Sequence, residues 1–420
     1  MKVLCTTLPQ LPAAASLEGH AFTYFEGTKL DRVGTIGKGL PAKLKRKGFA
    51  PSLSAWDFLL FSFAVCAADN ACVRKDSADG WTRQIELTVS LNQPEVWTRH
   101  TRLIQDMLRV LTGDYWTLSF IGDGPKAPAG QRQPCDRDCV SLLSGGLDSL
   151  IGGINLTAVG RRPIFVSQLA YEDSERQRKY AASMQSSEWH QQFSPSIVFD
   201  GPHEPSTRGR SMAFYGLAVL SATLLDAQVV DLVVPENGFI SLNPPLVPGR
   251  ISSLSTRTTH PRFMAMLEQL LTHLGIGIEL QMPYRFRSKG QMLAECLGQD
   301  ALKQFASDST SCGRFRTNKR MHCGRCVPCM VRKASFLHWG PGKDHTVYRY
   351  PSLVGSDKSG SPDDPAAVAS AVLLANHKGV DAFLSASLSF AAPEEREEYR
   401  SVVKQGLREL EALLMRDGVL

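Results

Sequence analysis

The chain has 420 residues, of which 43% are hydrophobic and 21% are charged. A chain of this length is expected to fold into two or three domains, and the composition is typical of a soluble globular protein. The formal net charge of +6 is modest, so it permits an anionic substrate but does not indicate a nucleic-acid-binding protein. Residues 1–16 lack a signal-peptide pattern, and no run of about 18 apolar residues occurs, so we expect a cytoplasmic protein outside the membrane.

Residues 1–122 are predicted to form an N-terminal α+β domain. Residues 7–50 show Pro and Gly between short apolar pieces and give no clear element. A helix is expected to end at Gly113, because glycine favours the left-handed residue after a helix. The expected order is a strand at 2–6, an apolar helix capped within 54–57 and running to 70, a strand at 83–91, a helix at 94–111 and a strand at 115–121.

Around the carboxyl end of the apolar helix and in the loop that follows, four residues are candidates for a polar contact surface: Asp69, Arg74, Trp81 and Arg83. Exposed loop charges around the end of a helix are the plainer interpretation of the same residues. Residues 123–137 are rich in Gly, Pro and polar residues and are predicted to be a linker.

From residue 138 to 345 the apolar pattern predicts an α/β domain with a doubly wound parallel sheet. Its strands are unbroken apolar runs, as expected where helices cover both faces of a sheet. The predicted strands are 140–143, 163–168, 196–198 and 231–234, and the predicted helices are 147–159, 174–192 and 211–226.

The first strand of this domain leads into a loop that reads Ser-Gly-Gly-Leu-Asp-Ser, residues 144–149. Glycines between a strand and a helix let backbone N–H groups converge on phosphate oxygens, and the helix dipole adds to the attraction. The loop lacks the Lys of a Walker motif and the third Gly of a dinucleotide fingerprint. A helix-capping turn with Asp148 as an ordinary first-turn acid would also fit these six residues.

A second motif consists of Cys312, Cys323, Cys326 and Cys329. Two short spacings allow four thiolates to surround one tetrahedral ion, and Gly324 permits a tight turn between them. In a cytoplasmic chain this pattern predicts a structural zinc site in the segment 312–329. An iron–sulfur cluster would fit the same spacing.

Residues 346–420 are predicted to be a polar connector followed by two helices, at 365–379 and 393–418. In the second helix an apolar stripe faces a charged side, which favours core packing over a partner interface. The stripe consists of Tyr399, Val402, Val403, Leu407, Leu410, Leu413 and Leu414.

The 144–149 loop resembles the phosphate-binding PP-loop of N-type ATP pyrophosphatases, and the loop together with the cysteines resembles the 7-cyano-7-deazaguanine synthase (QueC-like) family. The resemblance covers about residues 140–336. It includes Gly209-Arg210-Ser211, Ser288-Lys289-Gly290 and the run 310–329. The stretches 234–245 and 255–261 look most like the QatC subgroup of antiphage-defence systems. Leu147 stands where the biosynthetic enzymes usually have Gln, and their Tyr-Gly-Gln-Arg-His element is not intact near Tyr171.

The resemblance implies ATP, Mg²⁺ and Zn²⁺ as cofactors, with Mg²⁺ organised by Asp148. The pyrophosphate would be bound by the backbone and hydroxyl groups of Ser144, Gly145, Gly146 and Ser149. Lys289 and Arg210 are the implied catalytic cations. Glu236 and Asn237 follow a predicted strand and are candidates for substrate binding, although a polar turn would also explain them. Arg257 and His260 could line the same mouth or simply precede a helix.

The implied activity is that of an ATP-dependent ligase, forming AMP and pyrophosphate, that adenylates a 7-deazaguanine carboxylate. The product would be an amide or nitrile, or a conjugate with a protein amine, in an antiphage defence system with partner proteins from the same operon. Two alternatives stay open: a non-catalytic nucleotide-binding scaffold of a defence complex, and a tRNA-modifying ATP pyrophosphatase. The latter would need a persulfide-carrying cysteine near the loop, and Cys135 and Cys139 are poorly placed on the linker and first strand.

Overall fold

The fold is taken from a computed structural model. Tyr171, Ser255 and Thr256, which carry part of the resemblance, lie outside the residues that it describes. The described residues are 1–13, 18–28, 30, 33–169, 173–247, 257–315, 317–340, 342–355 and 364–420.

Within these residues the strands form two five-stranded sheets, and every strand pair is parallel. The first sheet contains β1 Lys2–Thr6, β2 His20–Tyr24, β3 Val33–Ile36, β4 Gln84–Ser90 and β5 Tyr115–Ile121. The second contains β6 Cys139–Leu142, β7 Pro163–Gln168, β8 His190–Phe193, β9 Val230–Val233 and β10 Ile278–Gln281. The helices of the described residues are α1 Leu40–Arg46, α2 Leu53–Ala71, α3 Pro94–Thr98, α4 Thr101–Thr112, α5 Leu147–Ala158, α6 Ser174–Ser183, α7 Arg210–Ala222, α8 Gly238–Leu242, α9 Pro261–His273, α10 Lys289–Ala294, α11 Gln299–Phe305, α12 Val327–Trp339, α13 Asp364–Lys378, α14 Val380–Leu384 and α15 Pro393–Arg416.

The two sheets have the same strand order when each is counted from its own first strand. The first sheet runs β3-β2-β1-β4-β5, and the second, read from its other edge, runs β8-β7-β6-β9-β10. In both, the chain moves to one side of the central first strand and then crosses to the other side. The prediction of a parallel α/β sheet after residue 138 is therefore confirmed.

The expectation of an α+β fold for the first 122 residues is wrong, because the first sheet is parallel throughout. Helices α1 and α2 connect β3 to β4, and α3 and α4 connect β4 to β5. Such helical crossovers are what parallel strands require. The short strands β2 and β3 were not predicted, because each lies between Gly-containing turns and is only five or four residues long.

Three local predictions also need correction. Helix α2 is capped by Ser52, whose hydroxyl accepts from the Ala55 N–H, and not within 54–57. The helix predicted over 174–192 ends at Ser183, and β8 follows in the short sequence His-Gln-Gln-Phe, whose two glutamines hide the strand pattern. The strand predicted at 196–198 is instead a single antiparallel bridge from Val198 to Thr35 of the first sheet.

One hydrophobic core is shared by both sheets. Helix α2 is buried almost all round and packs against the first sheet, while α7 packs against the second. The two helices approach closely, since a Cβ atom added at Gly216 of α7 would lie 2.8 Å from the Ser62 Cβ of α2. The apolar stripe predicted on α15 is confirmed as core: it is buried in a second cluster with α8, α12 and α13.

Candidate functional site

The 144–149 loop lies at the carboxyl end of β6 and leads directly into α5. Gly145 has a φ of +89°, which a side chain would strain, and a Cβ there would lie 3.2 Å from the Asp173 Cβ. The hydroxyls of Ser144 and Ser149 are 3.1 Å apart, and the Gly146 N–H donates to the Ser144 hydroxyl at 3.2 Å. The loop is thus a compact turn that gathers hydroxyl and N–H groups, as an anion-binding loop does.

Asp148, in the first turn of α5, is the centre of a buried polar cluster. One oxygen of its carboxylate pairs with the Lys289 ammonium. The other accepts from the Asn237 side-chain amide at 2.7 Å and from the Asn237 backbone N–H at 3.3 Å. Three elements that are distant in the sequence, α5, α8 and α10, therefore meet at one carboxylate.

Glu236 lies beside this cluster at the carboxyl end of β9. Burial raises the pKa of Glu236, and the nearby Asp148 charge raises it further. Burial alone would raise the pKa of Asp148 too, but the Lys289 charge and the hydrogen bonds outweigh burial, and the pKa of Asp148 is lowered. Asp148 is therefore the carboxylate that holds the negative charge, and Glu236 favours the protonated form.

A cavity of about 520 Å³ opens in front of the loop. It brings together most of the residues that the sequence singled out: Ser144, Gly146, Asp148, Ser149, Arg210, Glu236, Arg257 and Lys289. Arg210 donates from Nε to the Gln168 side chain at 3.1 Å. The cavity lies beside the carboxyl ends of β6 and β9, where the strand order of the sheet reverses and α/β folds bind ligands.

Three predicted residues are not among the lining residues. Asn237 is fully buried and contacts Asp148, and Gly145 shapes the turn. His260 caps α9 by accepting from the Arg262 N–H, and its ring packs against Phe390 with 4.9 Å between ring centroids. Burial lowers the pKa of His260 to about 4. The helix cap and the ring contact account for this residue.

The four cysteines form a buried cluster whose Sγ atoms all lie within 4.8 Å of one another. The Cys312–Cys326 and Cys323–Cys329 Sγ distances are 3.9 and 3.8 Å. Tetrahedral thiolates about 2.3 Å from a zinc ion would be about 3.8 Å apart, so the cluster is compatible with zinc. Backbone N–H groups donate to the sulfur atoms of Cys312 and Cys323, as is common around bound thiolates.

The cysteine cluster adjoins the cavity. The cavity wall includes residues from the cysteine segment. These are Thr310, Ser311 and Gly313, which precede Cys323, and Pro328 and Val331 of α12. The Thr310 N–H donates to the Gly145 carbonyl at 3.3 Å. A metal in the cluster would therefore stabilise a segment that touches the loop.

Asp69, Arg74 and Arg83 are buried, so both the contact-surface interpretation and the plainer one of exposed loop charges are wrong for them; of the four residues only Trp81 is exposed. Arg83 pairs with Asp69 and Asp114 at 2.6 Å, and Arg74 pairs with Asp114. The second oxygen of Asp69 accepts from the N–H groups of Arg208 and Gly209, both at 2.6 Å. This carboxylate thus fixes the start of α7, which carries Arg210.

Two residues are not singled out by the sequence: Arg208, which lines the cavity, and Glu409, which lies behind Lys289. Buried Glu409 of α15 accepts from the Ser288 hydroxyl and from the Gly290 N–H, at the start of the helix that carries Lys289. A signal for Glu409 exists, because it lies seven residues after Val402 and four before Leu413 and so falls on the buried stripe.

A comparison with protein-family models finds no match, and no curated protein matches the chain either. Within the residues described, the helices are all too short or too polar to cross a membrane.

Proposed function

We propose that the protein is an ATP-dependent ligase that adenylates a 7-deazaguanine carboxylate, and that it works in an antiphage defence system. The observation that carries the proposal is the buried Asp148, joined to Lys289 and Asn237 beside a glycine loop in a cavity of about 520 Å³. The resemblance to QueC-like enzymes supplies the substrate class. Proteins of the same operon are the proposed partners.

The chemistry requires a leaving group, because a carboxylate cannot expel oxide. A carboxylate oxygen attacks the α-phosphorus of ATP. The bond between the α-phosphorus and the oxygen that bridges to the β-phosphorus breaks, and an acyl adenylate and pyrophosphate form. An amine then attacks the acyl carbon, AMP leaves, and the amine loses a proton. Ammonia would give an amide, which a further ATP-dependent step can dehydrate to a nitrile, and a protein amine would give a nucleobase–protein conjugate.

The residues of the cavity suit this reaction. The hydroxyl and N–H groups of the 144–149 loop would hold the pyrophosphate, and Lys289 and Arg210 would offset charge on the phosphates. Mg²⁺ prefers oxygen ligands, so the Asp148 carboxylate would hold the ion. Glu236 would be a second ligand once its carboxyl group is deprotonated. Bound Mg²⁺ would neutralise phosphate charge. The apolar part of the wall, which includes Leu147, Phe214 and Ile240, would exclude water.

The test uses purified protein with Mg-ATP and 7-carboxy-7-deazaguanine, measuring AMP and pyrophosphate. We expect both products from the wild type and a loss of about 100-fold or more from Asp148→Asn. Asp300→Asn is the matched control, because that side chain is fully exposed. Absence of AMP, pyrophosphate and adenylate from the wild type would refute the proposal. A non-catalytic scaffold would keep its activity in cells after Asp148→Ala, and the ligase would lose it.

We also propose that zinc occupies the four-cysteine cluster and is structural. The expected result is about one zinc per chain by elemental analysis, without iron. Cys323→Ser should lose the metal and lower the melting temperature.

A further inference from the structure

A second group of polar atoms lies in the cavity wall, at the start of α7. Thr207, Arg208 and Ser211 line the cavity there, next to Leu111 from the end of α4. Arg208 is only 5% exposed. Neither Arg208 nor Ser211 belongs to the residues that the ATP chemistry above uses.

Both side chains have buried polar atoms that lack a partner. Within the part of the chain that the structure describes, the Arg208 Nε and the Ser211 hydroxyl have no hydrogen-bond partner. Burying such groups unpaired is costly, so each calls for an explanation. Arg208 and Ser211 lie three residues apart and both line the cavity, and each carries a donor group without a protein partner within the described ranges.

The surroundings of Arg208 hold its side chain in place without a direct ion pair among the described residues. Its guanidinium donates to the Thr112 carbonyl at 2.9 Å and lies over the Trp81 ring, 5.1 Å from the centroid. Among the described ion pairs, Asp69 and Asp114 pair with Arg83 and Arg74 and not with the Arg208 guanidinium. Burial, and then the Arg74 charge, lower the pKa of Arg208 to about 10, which leaves it charged at neutral pH.

We propose that Arg208 and Ser211 form an oxyanion subsite, distinct from the 144–149 loop, that binds one planar or tetrahedral oxyanion of the reactants. Guanidinium and hydroxyl groups are donors that match a carboxylate or a phosphate oxygen. This inference rests on the proposed function, in which two oxyanions must meet: the carboxylate of the acid and the α-phosphate of ATP. Both sources share the chemistry, and the experiment below separates them.

The test measures equilibrium binding by calorimetry with two pairs of ligands. The acid 7-carboxy-7-deazaguanine is paired with its uncharged nitrile analogue, and AMP is paired with adenosine. The variants are Arg208→Lys, which keeps the charge but removes the Nε donor, and Ser211→Ala. Ser221→Ala is the control on the same helix, because the Ser221 hydroxyl already donates to the Leu217 carbonyl.

If the subsite binds the carboxylate, Arg208→Lys weakens binding of the acid about tenfold, Ser211→Ala several-fold, and the nitrile is unaffected. If the subsite binds the α-phosphate, the variants bind AMP more weakly, and their binding of adenosine is unchanged. Either result supports the subsite, and melting curves check that the variants fold.

The proposal is overturned if both variants bind all four ligands like the wild type. It is also overturned if charged and uncharged ligands are weakened equally, or if the wild type binds neither oxyanion. A wild type that binds the acid through Arg208 and Ser211 but forms no AMP would refute the proposed ligase while supporting the subsite.

Discussion

In both sheets the order in which strands are added reverses beside the first strand. Each sheet therefore has a crevice between the carboxyl ends of its first and fourth strands. In the first sheet, polar side chains fill this crevice by bonding to one another. The Thr6 and Ser90 hydroxyls are 2.7 Å apart, and both donate to the Gln10 side chain, at 2.9 and 3.1 Å. The Gln10 amide in turn donates to the Gly122 carbonyl at 3.2 Å.

In the second sheet the same topology leaves the crevice open. The connection after β6 begins with the two glycines of the 144–149 loop, whereas the connection after β1 begins with the short 3-10 helix Leu8–Gln10. The cavity wall of the second crevice keeps ionisable and unpaired polar groups, among them Glu236 and Arg208. The strand order supplies the place for a site, but the connecting loop and the unpaired groups decide whether one exists.

The largest expected effect concerns Asp69 on α2, which bonds to the start of α7 and so supports the second crevice. Asp69→Asn removes one partner of the buried Arg83 and should lower the free energy of unfolding by about 3 kcal/mol or more. Urea unfolding measures it. Asp106→Asn is the control: Asp106 pairs with Arg102 at the surface, where the loss should be about 0.5 kcal/mol. Similar losses in the two variants would show that Asp69 does not join the sheets.

A smaller effect is expected for Glu409, which supports the second crevice from the C-terminal helix. Glu409→Ala leaves the Gly290 N–H unpaired and should cost about 2 kcal/mol in the free energy of unfolding. AMP formation should also fall, because Ser288 and Gly290 flank Lys289. Glu411→Ala is the control on the same helix, since Glu411 bonds to Asn376 at the surface. If Glu411→Ala were equally harmful, α15 would matter only as a packed helix.

The sequence predicted the parts of the site that are local. The 144–149 loop and the cysteine cluster are contiguous patterns, and the long helices α2 and α15 show a continuous apolar run and an apolar stripe, respectively. It did not predict that Asp69 would reach the start of α7 or that Arg208 would be buried, because those positions depend on how the two sheets pack. The short strands β2, β3 and β8 were missed for a different reason: four or five residues carry too little pattern against the flanking turns.

The two crevices can be compared directly with one serine from each. Ser90→Ala breaks the bonded network of the first crevice and should cost about 1 kcal/mol in the free energy of unfolding without changing AMP formation. Ser149→Ala, in the second crevice, should reduce AMP formation much more than it reduces stability. Unfolding curves and product assays on both variants test this. A loss of activity in Ser90→Ala alone would place function in the first crevice.

The smallest expected effect is on how the free energy of unfolding depends on pH. Thr6, Ser90 and Gln10 do not ionise in the working range, whereas burial raises the pKa of Glu409, opposed by its Ser288 hydrogen bond. A raised pKa means that the folded protein holds this proton more tightly than the unfolded chain. The contribution of Glu409 to stability is therefore full below the ordinary Glu value and is lost as pH rises through the raised pKa.

In Glu409→Gln the amide can donate to the Ser288 hydroxyl while its oxygen accepts from the Gly290 N–H, so stability at pH 7 should stay within about 1 kcal/mol of wild type. As the pH falls from 7 to 5, the wild type should gain stability relative to the Gln variant, by chemical unfolding at each pH. His338 on α12 also acts on Glu409, so the series is repeated in a His338→Gln background. A constant difference across this range would mean that protonation of Glu409 does not contribute to the pH dependence of stability.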